Sequence, residues 1–110
     1  MNLANLNVCF SLLPPFRIQP PSLSHVDAAG VPLAALTSYQ SLLAGSVKAG
    51  DRVLILGGSG GTGYLGVQFA KAMGATVAAT GSDEEFLRSC GADEVCARSL
   101  EPLDLMLRFY

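Results

Sequence analysis

The chain contains no tryptophan and one histidine, His25, and only 15% of its 110 residues are charged. Each scarcity excludes something. With 7 basic side chains against 9 acidic ones, no cationic stripe exists to neutralise phosphates, so a groove-reading nucleic-acid binder is not expected. The 3 cysteines, Cys9, Cys90 and Cys96, are odd in number and lack C-x-x-C spacing. That argues against a disulfide framework or a zinc finger and fits a reducing compartment. No apolar run approaches the ~18 residues of a membrane span. Half of the residues are nevertheless apolar, and the mean hydropathy is +0.40. That surplus must be placed in protein contacts, and the length allows one small domain.

What is present is glycine, 12 residues of it, unevenly spread. Residues 1–21 read as an irregular lead-in: Met1 to Phe16 carries no charge, and Pro14, Pro15, Pro20 and Pro21 interrupt regular elements. From Ser22 the pattern becomes orderly. Ser24 or Asp27 can cap a helix with apolar positions at Val31, Leu33, Ala35, Leu36, Leu42 and Leu43, kinked or restarted at Pro32. Val53-Leu54-Ile55-Leu56 is a continuous apolar run, suited to a parallel strand covered on both faces. A glycine cluster follows, then Leu65, Phe69 and Met73 at helical spacing, with Gly74 as the stop. Thr76 to Thr80 reads as a second strand. Ser82 to Glu85 has the form of a capping box for a helix ending at Gly91, and Ala92 to Ala97 starts a third strand. The order is β-turn-α-β-α-(β), an α/β fold built on part of a doubly wound parallel sheet, with an N-terminal linker helix. The domain expected spans 22–97, and 98–110 form an unassigned tail.

Three motifs overlay the cluster Gly57-Gly58-Ser59-Gly60-Gly61-Thr62-Gly63. Gly58, Gly60 and Gly63 match G-x-G-x-x-G: one glycine for the tight turn, the next for approach to a pyrophosphate, the last for close helix–strand packing. The phosphates would sit at the helix N-terminus, favoured by its free N–H groups and dipole. An apolar strand before the loop and an amphipathic helix after it supply the context this motif requires. Gly57, Ser59 and Gly61 also match the G-x-S-x-G nucleophile elbow, but His25 precedes it and no histidine follows to take the serine proton. A phosphate-binding P-loop needs lysine after its last glycine, and Tyr64 stands there. About 20 residues beyond Gly63, where a ribose-binding acid is sought, the chain has Asp83. Asp83 serves equally well as a solvated first-turn residue, and Gly81-Ser82 leave room for a 2′-phosphate. The residues alone leave NAD against NADP open.

Five blocks taken in order resemble the cofactor-domain entry of medium-chain dehydrogenase/reductases, in the zinc-independent quinone oxidoreductase (zeta-crystallin-like) branch. They are Pro20-Pro21-Ser22-Leu23-Ser24; Val31 to Gln40, similar to L-P-L-A-G-L-T-A-Y-Q; Lys48 to Ile55, similar to K-P-G-D-x-V-L-I; the glycine loop with Val67 to Ala75; and Gly91-Ala92-Asp93-Glu94-Val95. The resemblance runs from Pro20 to Val95. It implies a Rossmann domain and an NAD(P)H-dependent enzyme, with hydride transfer to a quinone or an activated carbon–carbon double bond. NADPH is favoured over NADH, no metal is involved, and the homo-oligomeric and cytoplasmic states (mitochondrial or plastid for a full-length form) are compatible with it. It also implies cofactor contacts at Thr37 on the nicotinamide side, at Gly58, Ser59, Gly60, Gly61, Thr62 and Gly63 around the pyrophosphate, and at Ser82 near the 2′ position. It names no catalytic acid or base; Tyr39 is expected to pack, and Cys90 and Cys96 to act as small buried hydrophobes.

The departures are as informative. Met1 to Phe16 does not match the family's GroES-like substrate domain, the lysine common between Ser82 and Gly91 has no counterpart, and Ala97 to Tyr110 match nothing. A partial chain is expected, with a catalytically inactive nucleotide-binding or interaction fragment as the alternative reading. Such a segment is expected to show weak stability, a tendency to aggregate and no quinone-dependent NADPH oxidation of its own. Two substitutions test the glycine motif. Gly60→Val is expected to abolish dinucleotide binding measured by calorimetry. Ser59→Ala is expected to leave any ester hydrolysis unchanged, and a large loss would restore the nucleophile-elbow reading.

Overall fold

The computed structural model describes Val8–Cys9 and residues 17–96. Two short strands, β1 (Val8–Cys9) and β2 (Arg17–Ile18), pair antiparallel where the sequence suggested no regular element. The paired residues Val8, Cys9, Arg17 and Ile18 include no proline, so this short ladder loses no donor to one. The tail beyond Cys96, including the end of the strand expected through Ala97, falls outside the described residues.

Helix α1 (His25–Ala29) begins where Ser24 caps it, its Oγ accepting from the Asp27 amide at 3.1 Å. Pro32 then sits at the start of a π-helical stretch, Val31–Ala35, which runs directly into α2 (Leu36–Ala44). The expected restart at proline is therefore a widened turn rather than a break. Of the apolar positions assigned to this segment, only Leu42 is buried; Leu33 is 75% exposed, and Val31 and Leu43 are also exposed. Helix α2 contacts α3 (Gly63–Ala72) and the π-helical stretch before it, and Val31, Leu33, Leu36 and Leu43 remain exposed.

The core is a parallel sheet of β3 (Arg52–Ile55), β4 (Thr76–Thr80) and β5 (Glu94–Cys96), in that spatial order. Arg52 pairs with Thr76 and Ile55 with Ala79, while Ala78 pairs with Glu94 and Thr80 with Cys96. Helix α3 connects β3 to β4, and α4 (Glu84–Ser89) connects β4 to β5. This is one half of a doubly wound sheet, a partial Rossmann-like domain. β4 is central, and Val77, Ala78 and Ala79 are fully buried. β3 ends one residue earlier than the apolar run suggested, because Gly57 starts the turn and carries Leu56 out to 62% exposure.

The sheet-facing side of α3 is made of Gly66, Val67 and Ala70, whereas the larger Leu65 and Phe69 are only half-buried. Small residues let the helix approach the strands: a Cβ on Gly66 would already lie 3.5 Å from Ile55 Cδ1. Phe69 meets Tyr39 of α2 edge-on, with ring centroids 5.8 Å apart, although Tyr39 remains 43% exposed. Cys90 and Cys96 are free and half-buried, and Cys90 packs against the core.

Asp93 joins three elements. Its Oδ2 accepts from the Val77 amide at 2.7 Å, and both carboxylate oxygens lie 2.9 Å from Lys71 Nζ on α3. The Asp93 amide donates in turn to the Val77 carbonyl at 2.8 Å. The Val77 amide, and after it Lys71, hold the Asp93 carboxyl below the ordinary carboxylate range. A carboxylate with a lowered folded pKa contributes stability above its unfolded pKa, and that contribution is lost as pH falls through the folded value. The urea midpoint is therefore expected to drop on acidification below pH ~4. Asp93→Asn should be less stable than wild type at pH 7 and should lose this part of the acid dependence. An unchanged acid profile in that variant would show that Asp93 does not tie the sheet to α3.

Candidate functional site

The site grows from the end of β3. Gly57 has φ +68°, a left-handed conformation that glycine reaches without steric cost, and the chain turns away from the sheet there. The tight turn thus belongs to Gly57 rather than to Gly58, the first glycine of the motif. Gly58 is glycine for a different reason: it is buried, and a Cβ would meet Leu87 Cδ2 at 2.8 Å and Ala79 Cβ at 3.0 Å. Gly63 opens α3 directly against the turn, and a Cβ there would strike the Gly57 carbonyl oxygen. That is the close helix–strand contact expected of the last glycine. At Gly60 an added Cβ would lie 3.2 Å from the Gly57 oxygen, whereas at Gly61 it would meet open space. Gly60→Val would therefore disturb the loop's own geometry, and Gly61 is the cleaner probe of backbone approach.

The loop is pinned at both ends. The Gly58 amide donates to the Thr80 carbonyl at 2.7 Å, the Gly57 amide to the Thr80 hydroxyl at 2.9 Å, and the Gly60 amide to the Gly57 carbonyl at 2.9 Å. At the helix entrance, the Thr62 side chain makes no capping bond. Among the described residues, the amides of Ser59, Gly61, Thr62 and Gly63 have no protein acceptor. Together with the positive end of α3 they form a concentration of unpaired donors suited to an anion. From below, the carbonyl of Thr62 accepts from Ser38 Oγ of α2 at 2.5 Å. Ser38 is only 4% exposed, a buried polar residue.

A cleft of about 580 Å³ lies at the carboxyl ends of β3 and β4, lined by Leu56, Gly57, Ser59, Gly60, Thr80, Gly81 and Ser82. That size and place, outside the strand ends of an α/β sheet, are those of ligand sites in such folds. Of the residues expected to bind a cofactor, Ser59, Gly60 and Ser82 come together on this lining. Gly58 is buried beneath it, Gly61, Thr62 and Gly63 form the entrance to α3, and Thr37 lies exposed in the first turn of α2. The sequence reading did not name Leu56, Gly57 or Thr80 as cofactor contacts, and gave Gly81 only as space beside the 2′ position. Their signal was positional, since each is within a residue or two of a strand's carboxyl end.

The far wall corrects one expectation. The cap of α4 is Asp83, whose Oδ1 accepts from the Phe86 amide at 2.9 Å, not Ser82. Asp83 is thereby engaged as a helix cap, and Ser82 is released to line the cleft. Glu84 is paired with Arg88 at 2.8 Å one turn on, which offsets part of the acidic charge near this wall. The residues fit a dinucleotide: small side chains at Ser59, Gly81 and Ser82, open space before Gly61, and unpaired amides at the helix entrance. Among the described residues no three His, Cys, Asp or Glu side chains form a metal-binding group. No helix among them is long and apolar enough to cross a membrane.

No protein-family model matches the chain. Curated relatives do. The mitochondrial NAD(P)H oxidoreductase RTN4IP1 of Danio rerio is 39% identical over 97 residues, covering 82% of this chain and 25% of that protein. The chloroplastic NADPH-dependent alkenal/one oxidoreductase of Arabidopsis thaliana is 44% identical over 80 residues, covering 69% of this chain and 21% of that protein. Among solved structures, the quinone oxidoreductase of Coxiella burnetii superposes with a TM-score of 0.76 at 39% identity, over 83% of this chain and 29% of that one. The chain thus spans about a quarter of the length of the relatives it matches. By sequence and by fold it belongs to the medium-chain dehydrogenase/reductase superfamily, alongside the quinone and alkenal oxidoreductases, as part of a Rossmann-like domain.

Proposed function

We propose that the chain forms part of an NAD(P)H-dependent oxidoreductase of quinone-reductase or enoyl-reductase type, and that its cleft holds the dinucleotide. The observation that carries this reading is the arrangement at the α3 entrance: four unpaired amides beside a cleft lined by Ser59, Gly60 and Ser82. In this reading residues 22–97 are the cofactor-binding unit. The amides of Ser59, Gly61, Thr62 and Gly63 hold the pyrophosphate, while Gly58 keeps the loop close to β4 and Gly63 keeps α3 close to the loop. Thr37 faces the nicotinamide end. When bound, the dinucleotide supplies a hydride to a quinone or to an activated carbon–carbon double bond, the substrate classes named for the relatives. The chain's own task is binding, orientation and exclusion of water around that end, the conditions under which hydride transfer becomes fast.

The same geometry supports NADPH over NADH. The group at the strand end is the neutral Ser82; the nearest acid, Asp83, is engaged in capping, and Glu84 is paired with Arg88. A free carboxylate at the strand end would instead select the 2′-hydroxyl of NADH. A reducing compartment such as the cytoplasm suits the free thiols of Cys90 and Cys96.

Calorimetric titration tests both parts. Wild type is expected to bind NADPH more tightly than NADH. Gly61→Val should lose at least about tenfold in affinity for both, equivalent to ~1.4 kcal/mol, with little change in urea midpoint because the position faces open space. Ser82→Asp should weaken NADPH by about tenfold relative to NADH, a similar energy. Full NADPH affinity in Gly61→Val would remove the loop from the binding site, and equal wild-type affinities would remove the cofactor preference.

A further inference from the structure

The glycine loop is held only in part by its own Gly60–Gly57 bond; the neighbouring strand supplies the rest, including one bond from a side chain. Regular pairing of β3 with β4 stops at Ile55 opposite Ala79, and Gly57 then turns out of the sheet at φ +68°. Beyond that point the loop's amides have left the ladder. Two of them are recovered by one residue, Thr80: its carbonyl accepts from Gly58 at 2.7 Å and its hydroxyl from Gly57 at 2.9 Å. Thr80 is itself fixed on the other side, paired with Cys96 of β5. It also lines the cleft, together with Gly57, Ser59 and Gly60 of the loop and Gly81 and Ser82 beyond the strand.

The two bonds differ in kind. The Gly58 bond is backbone to backbone and would survive any substitution at Thr80 that keeps the strand. The Gly57 bond depends on a hydroxyl in one χ1 rotamer, and β-branched residues are stiff at χ1. Threonine therefore combines a strand-forming shape with a fixed acceptor, which serine supplies less rigidly and valine does not supply at all. The contact between the loop and Gly81 has no slack either. A Cβ on Gly81 would strike Ser59 Oγ and lie 2.7 Å from Leu87 Cδ1, so a loop that shifted toward β4 would collide there, and one that shifted away would widen the cleft.

We propose that Thr80 is a positioning residue for dinucleotide binding: its hydroxyl, through the Gly57 amide, sets the orientation of the loop and so the distance between the loop amides and Ser82. This rests on the assignment of the cleft to a dinucleotide. Thr80 acts through the loop and is given no contact of its own with the reacting atoms.

The test uses the whole chain with Thr80→Val, which keeps the shape and removes the acceptor, and Thr80→Ser, which keeps the acceptor. Three quantities are measured: NADPH affinity by calorimetry, the urea midpoint, and amide hydrogen exchange at Gly57 and Gly58 by NMR. Thr80→Val is expected to bind NADPH about tenfold more weakly, the scale of one lost oriented contact, with a nearly unchanged urea midpoint because the Gly57 amide is exposed to water. Exchange at Gly57 should rise several-fold while Gly58 remains protected. Thr80→Ser should restore most of the affinity and the Gly57 protection. Wild-type affinity in Thr80→Val, or an equal loss in Thr80→Ser, would overturn the proposal, the second because it would assign the effect to the methyl group. If wild type binds no dinucleotide, the cofactor reading fails by itself, and unchanged Gly57 exchange in Thr80→Val would separately refute the hold on the loop.

Discussion

The architecture depends on one backbone contact, the crossing of the start of α3 over the carbonyl of Gly57. No side chain, not even a methyl group, fits between Gly63 and that carbonyl. Because the two segments touch, α3 starts close to the sheet, and its Gly66, Val67 and Ala70 are buried where it packs on β3 and β4. Because the helix starts there, the amide of Gly63 and those of Gly61 and Thr62 just before it are left without a protein acceptor beside the cleft, while Tyr64 already donates to the Gly60 carbonyl at 3.1 Å. Packing and binding potential thus come from the same contact. A larger residue at Gly63 would require either a shifted helix or a reshaped loop, and both would move the donors.

β4 supplies the frame for that contact. It is the middle strand, its three central residues are fully buried, and two of them are alanines. Small side chains on this strand leave room for Leu87 of α4 to reach toward Gly58 and Gly81 from the same side. Each end of the strand is tied by a polar side chain. Asp93 accepts from the Val77 amide near its start, and Thr80 accepts from the Gly57 amide at its finish. Side-chain acceptors take over where the regular ladder stops, so the sheet's ends keep their hydrogen bonds as the chain departs into turns.

Electrostatics around the cleft follow from local helix chemistry. The run Asp83-Glu84-Glu85 is acidic and would oppose a phosphate if all of it faced the site. One carboxylate is instead directed at the first turn of α4 and another at Arg88. Acidic residues at a helix N-terminus stabilise that helix through its dipole, so their presence has an explanation inside α4. The wall that remains toward the cleft is the neutral pair Gly81-Ser82.

Much of this was legible in the order of residues. The βαβ framework followed from an apolar run, a glycine cluster, a helical period and a second strand, because hydrophobic periodicity and turn chemistry are local properties. Thr76–Thr80 appeared as a strand with the same limits in the structure. The glycine loop was identifiable because its spacing reflects steric demands made within a few residues. Tertiary structure decided what depends on neighbours distant in sequence. It assigned the positive-φ turn to Gly57, buried Gly58 under Leu87, and transferred the cap from Ser82 to Asp83, a one-residue change that alters which side chain faces the cleft. It also placed Thr80 against an amide 23 positions away, and it exposed Leu33 and Leu43, whose apolarity by itself had suggested burial. Sequence by itself determined which backbone conformations and periods were available. Only the packed sheet, by bringing Thr80, Leu87 and Ser38 against the loop, decided which amides remained free to meet a ligand.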